Sequence, residues 1–83
     1  MGTDRKLSEE NWLYEKRRAA GLTQGELAHR ARVGLRAISY IENGWRCRRE
    51  IKRRLINALG LKFPRDLTAV WPTEARYLES PRG

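Results

Sequence analysis

The sequence predicts an all-α domain of five short helices, and three observations carry that prediction. Apolar residues recur at three- and four-residue spacing, glycines and prolines punctuate those segments, and no stretch alternates as a strand would. The 83 residues suffice for one domain. A chain this short buries only about 60% of the surface its unfolded form exposes, so the core is modest.

Ser8 is placed to cap a first helix with Glu9 and Glu10 in its opening turn, where carboxylates suit the helix dipole. Leu13, Arg17 and Ala20 share one face of it, and Gly21 ends it. Thr23-Gln24-Gly25-Glu26 has the form of a capping box, in which hydroxyl and carboxylate each satisfy the other's backbone N–H, and it opens a second helix that buries Leu27, Ala28 and Ala31. Arg32-Val33 makes a tight corner. A third helix over 34–43 starts on Gly34 as N-cap, turns Ile38 and Ile41 inward, and stops at Asn43-Gly44. Its other side presents Leu35, Arg36, Ser39 and Tyr40. After the loop WRCRR, Ile51, Leu55 and Leu59 mark a fourth helix near Glu50 to Leu59, with Gly60 as its stop. Pro64 at a first helical position and Pro72 just past Trp71 bracket a short fifth helix. Residues 1–7 then read as an N-terminal arm, 8–72 as the domain, and 73–83 as a polar tail.

Charge narrows the partner. Eighteen Lys and Arg against ten Asp and Glu give +8 and a pI near 10.6, and the span Arg30 to Arg54, with nine basic residues and two acids, carries +7 of it. Such a concentration favours a polyanion, nucleic acid or an acidic surface, over a neutral ligand. No apolar run approaches the roughly 18 residues of a membrane span, and the N-terminus lacks the apolar centre of a signal peptide, so a cytosolic protein is expected. Cys47 is the only cysteine and His29 the only histidine, which leaves no intramolecular disulfide and no zinc site of thiolates and imidazoles. With no phosphate-cradling glycine loop, no paired carboxylates in an acid–base setting and no nucleophile motif, neither enzymatic activity nor a cofactor or small-molecule ligand is expected. Cys47 lies among arginines that would lower its pKa, but a lone loop cysteine is more often inert. Tyr40 divides evenly between a DNA contact and packing beside its helix. Trp45, in the loop, suits an interface or a cover for a small core.

The run GLTQGELAHRARVGLRAISYIENG, followed by LINALGL, resembles the helix-turn-helix family of phage repressors and Cro proteins (XRE type) over roughly Leu13 to Leu67. Gly21-Leu22-Thr23-Gln24, Glu26-Leu27-Ala28, Val33, Ile38-Ser39, Ile41-Glu42, Gly44 and Ala58-Leu59-Gly60 stand in the family's order and spacing. The resemblance implies that helix 34–43 enters the major groove of double-stranded DNA, braced by the helix before it. It assigns base readout to Leu35, Arg36, Ser39 and Tyr40. Arg36 leads that group, because a guanidinium grips guanine O6 and N7 with two hydrogen bonds worth roughly 1–3 kcal/mol of discrimination, while Leu35 offers apolar contact to a thymine methyl. Phosphate contacts fall to Gln24, Asn43, Arg46, Arg48 and Arg49. Arg17 and Glu42 match a structural ion pair. Phe63 and Trp71, which suit core packing equally well, become with Trp45 candidates for dimer or partner contact, and a homodimer on a palindromic operator follows. The chain departs from the family at Arg32, where glycine is usual, and at Gly34, where Ser or Thr is usual. Arg32 is either a point of local strain or one more phosphate contact. A competing reading keeps the fold but uses the tryptophans to engage another protein, as an antitoxin-type or other protein-binding module.

Overall fold

Thr23 opens the central helix as its sequence requires: its hydroxyl accepts from Glu26 N–H at 3.0 Å and the Glu26 carboxylate accepts from Thr23 N–H at 2.8 Å. The computed structural model describes residues 9–75. They form α1 (Leu13–Ala19), α2 (Gln24–Ala31), α3 (Leu35–Glu42), α4 (Arg49–Ala58) and α5 (Leu67–Val70), closed by a 3-10 turn at Pro72–Glu74. The domain is all-helical, and among the described residues no helix is long and apolar enough to cross a membrane.

Four helices end alike. At each, a left-handed residue lets the next N–H reach back to the carbonyl five residues earlier: Leu22 to Arg17, Val33 to Ala28, Trp45 to Tyr40 and Leu61 to Ile56, at 3.0–3.1 Å. The left-handed residues are Gly21, Arg32, Gly44 and Gly60. Arg32, at φ 60°, is the one with a side chain, and that conformation costs on the order of 1 kcal/mol where glycine would take it freely. So the corner keeps the usual geometry and accepts local strain. Arg54 Nη1 donates to the Arg32 carbonyl at 3.1 Å and ties the corner to α4. Leu22 is buried and Val33 and Leu61 pack on the core; Trp45 is 43% exposed.

Leu13, Leu27, Ile38, Leu55, Ile56, Leu67, Val70 and Trp71 are fully buried at the centre. Fully burying such side chains contributes roughly 1.5–3 kcal/mol each, which is how so small a domain holds together. Several expectations need correcting. The Ser8 cap lies outside the described residues, and Glu9 and Glu10 are not helical. Instead the segment before α1 is held by tertiary bonds: Glu9 N–H to Gly44 O at 2.6 Å, Trp12 N–H to Val70 O at 2.7 Å, and Asn11 Nδ2 to Ile41 O at 2.8 Å. Asn11 Oδ1 accepts from Leu13 N–H at 2.9 Å and starts the helix. These bonds satisfy backbone groups that a longer α1 would have had to satisfy itself. Ala20 is exposed at the end of α1. In α4 the deepest residues are Lys52, Leu55 and Ile56, with Ile51 and Leu59 only partly buried. Pro64 does not begin α5. It sits in a turn that Asp66 closes by accepting from Lys62 N–H at 2.8 Å, so the helix starts at Leu67 and Phe63 precedes it. Glu74, placed by sequence in the tail, is buried, so folded structure runs past residue 72.

Candidate nucleic-acid interface

The outward side of α3 is built by its inward side. Ile38 and Ile41 are 0% and 2% exposed, which forces Leu35, Arg36 and Tyr40 outward and leaves Ser39 half-buried beside them. Leu35 is 55% exposed and Tyr40 44%, so the outward side of α3 is partly apolar. Gly34 caps α3 with an extended backbone and no side-chain bond, and open space surrounds it.

The bracing helix meets this surface through a network around Glu42. Arg17 Nε donates to Glu42 Oε2 at 2.5 Å and Nη2 to Oε1 at 3.1 Å, while Nη1 donates to the Leu22 carbonyl at 2.9 Å. The two side chains are only 8% and 7% exposed. The hydrogen bond to Glu42 holds the Arg17 pKa above its ordinary value, against burial, which works the other way. Gln24 Nε2 adds a third donor to Glu42 at 3.0 Å. The Gln24 amide, expected on a phosphate, is therefore engaged with Glu42. Gln24 and Gly25 N–H, with no helical partner, stay available at the start of α2. A hollow beside them is lined by Arg17, Arg18, Thr23, Gln24, Gly25 and Leu35, so the start of α2 and the start of α3 share one opening. Arg18, absent from the sequence-based candidates, is exposed on it. Its position directly after the buried Arg17, on the outer side of α1, is the signal that could have found it.

The basic span thins once its partners are in place. Arg53 and Arg54 pair with Glu50, Arg49 with Glu74, and Lys52 with Glu9 and Glu74. Arg30, Arg32, Arg36, Arg46 and Arg48 keep no ion pair among the described residues. Arg46 and Arg48 are exposed in the loop after α3, and Asn43 is exposed at its end. Arg49 differs from these: its half-exposed guanidinium lies 3.2 Å from Glu74, which it shares with Lys52. Arg32 faces a separate groove with Arg30, Arg53, Arg54 and Asn57, apart from the opening that holds Gln24 and Leu35.

The partner candidates also separate. Trp71 is fully buried and cannot touch a partner in this conformation; Phe63 is half-buried against the core. The sequence left core packing and partner contact equally open for both, and the fold makes Trp71 a core residue. Trp45 stacks on Tyr40 with ring centroids 5.1 Å apart and planes 29° from parallel. The arginines of its loop do not activate Cys47: burial pushes its thiol up to about 12, outweighing the lowering effect of Lys52.

Two short helices set at a fixed angle by a left-handed corner, the second with an exposed polar and apolar face flanked by unpaired arginines, define a helix-turn-helix DNA-binding domain. The family model described as a helix-turn-helix domain matches residues 13–71, and the chain belongs to that family, in line with its likeness to the phage-repressor group. No curated protein and no solved structure matches it significantly.

Proposed function

We propose that this protein is a sequence-specific transcription regulator of the repressor or controller type. It inserts α3 with its caps, residues 34–43, into the major groove of a palindromic operator and binds as a homodimer with half-sites about 34 Å apart. The observation that supports this most directly is the exposed Leu35–Arg36–Ser39–Tyr40 surface on a helix whose opposite side is buried in the core. In this reading Arg36 reads a guanine, Leu35 meets a thymine methyl, and Arg46, Arg48, Asn43 and the start of α2 hold phosphates. Arg18 joins the phosphate contacts from across the same opening. The competing protein-binding reading is weakened by the complete burial of Trp71.

Selection of bound duplexes from a random pool tests the whole reading, and the expected product is two inverted half-sites one turn apart. Recovery of no preferred sequence would end it. Arg36→Ala should then cost roughly 1–3 kcal/mol at a single guanine position while leaving the other positions unchanged. With 6–10 phosphate contacts, affinity should fall roughly 10³–10⁵-fold between 50 and 200 mM salt; a flat titration would contradict phosphate binding.

A further inference from the structure

Among the four helix ends that share one backbone motif, three place the residue after the left-handed position against the core: Leu22, Val33 and Leu61. Trp45 is the exception. Its N–H makes the same bond, to Tyr40 O at 3.0 Å, yet its indole lies across the Tyr40 ring with centroids 5.1 Å apart. The two residues stay 43% and 44% exposed. Core cover, the ordinary reason for such a residue, does not explain a tryptophan left this open. What the stack does accomplish is to widen and immobilise the aromatic surface at the C-terminal end of α3, continuous with Leu35, Arg36 and Ser39 on the outward side of that helix. Leu35 and Tyr40 are separated by five residues, about 7.5 Å along the helix, so they meet different base pairs.

We propose that Trp45 belongs to the DNA-reading surface, where with Tyr40 it forms a two-ring apolar plate that reads the C5-methyl group of a pyrimidine in the major groove, thymine in ordinary DNA. This rests on the DNA reading above and deepens it. Tyr40 presents the ring to the base, and Trp45 positions that ring from behind and excludes water from the contact. The major groove displays the thymine methyl as its one apolar feature, which is the feature an apolar plate can distinguish. Leu35 supplies a second, independent methyl contact nearer the start of α3. The groove surface thus holds one guanidinium between two apolar readers.

The test uses the full chain and the duplex recovered by selection, with each thymine replaced in turn by deoxyuridine, which removes the methyl and nothing else. Wild-type protein should lose roughly fourfold in affinity at a position facing the end of α3, the value of one buried methyl or methylene, and a similar factor at a position facing Leu35. In Trp45→Ala the first penalty should vanish while the second persists; in Trp45→Phe, which keeps a ring to stack, both should remain. Leu35→Ala should show the reverse pattern. Helical circular dichroism identifies any variant that fails to fold, and Trp45→Phe and Leu35→Ala then carry the comparison. Wild-type binding with no uracil penalty facing the end of α3, or a penalty undiminished in Trp45→Ala, overturns this inference and leaves the DNA reading standing. A wild-type chain that binds no duplex removes both.

Discussion

Glu42→Leu is expected to lower stability by about 3–5 kcal/mol, because it strands a buried guanidinium. Arg17 would keep only the Leu22 carbonyl, 2.9 Å from Nη1, as an acceptor for a side chain that is 8% exposed. Domains of this size hold on the order of 5–15 kcal/mol in total, so the variant would be largely unfolded under mild denaturant. The change also frees the Gln24 amide and loosens the end of α3, which Glu42 joins to α1 and α2. Urea titration followed by circular dichroism measures the loss, and a deficit under about 1 kcal/mol would show that the pair is solvated in solution, as exposed pairs are. The double replacement Arg17→Met with Glu42→Leu should recover most of it, since removing both charges also removes the desolvation that each imposed.

Lys52→Met should be comparably severe, also about 3–5 kcal/mol, by the opposite sign of charge. Lys52 Nζ lies 2.6 Å from Glu9 and 2.5 Å from Glu74, over the face of Trp71 at 5.4 Å. Burial works to lower the Lys52 pKa, and the hydrogen bonds to Glu74 and Glu9 together outweigh it, so the ammonium is held above its ordinary 10.5. Its contribution to wild-type stability is therefore complete at neutral pH and is lost as pH rises through that raised value. Without the ammonium, Glu9 and Glu74 become buried like charges, and Arg49, itself half-exposed, compensates only Glu74. Urea titration at neutral pH measures the variant's deficit, and a loss under about 1 kcal/mol would show that the cluster is solvated. Cys47 borders this cluster and supplies a local readout. Its thiol, pushed up to about 12 by burial, should alkylate slowly at pH 8 in wild type; loss of the Lys52 charge would by itself slow it further, so faster alkylation in Lys52→Met reports that the cluster has opened and the thiol is hydrated. Equal alkylation rates would mean that the cluster is not what closes this side of the domain.

Most of the architecture was legible in the sequence because it is written locally. The Thr23–Glu26 capping box, the stops at Gly21, Gly44 and Gly60, and the Ile38–Ile41 spacing involve residues within a few positions of one another, where backbone chemistry decides the outcome. Arg17–Glu42, though 25 residues apart, was reachable through the family resemblance. The cluster of Glu9, Lys52 and Glu74 was not. Its members are 43 and 22 residues from one another along the chain, and each alone reads as an ordinary surface charge. The same limit explains α1, α5 and the basic span. Glu9 and Glu10 suit a helix start, yet Gly44 and Val70 offer the segment before α1 better partners. Arg49 counts towards a positive surface until Glu74 is folded beside it. On the outward side of α3, spacing supplied Leu35, Arg36, Ser39 and Tyr40 and the family resemblance supplied their expected role, but the partner of Trp45 became visible only with the helix end in three dimensions.

By holding Glu9 and Glu74 on one nitrogen, Lys52 brings the two ends of the folded body to a single place. The described residues therefore close nearly into a ring. A short polar linker from residue 75 to residue 9, with the chain reopened in the loop at Leu61-Lys62, would reorder the helices without disturbing the helix pair or the corner between them. The order of the elements along the chain is thus separable from their arrangement in space, and a circular permutant should present the same α3 surface as the natural sequence.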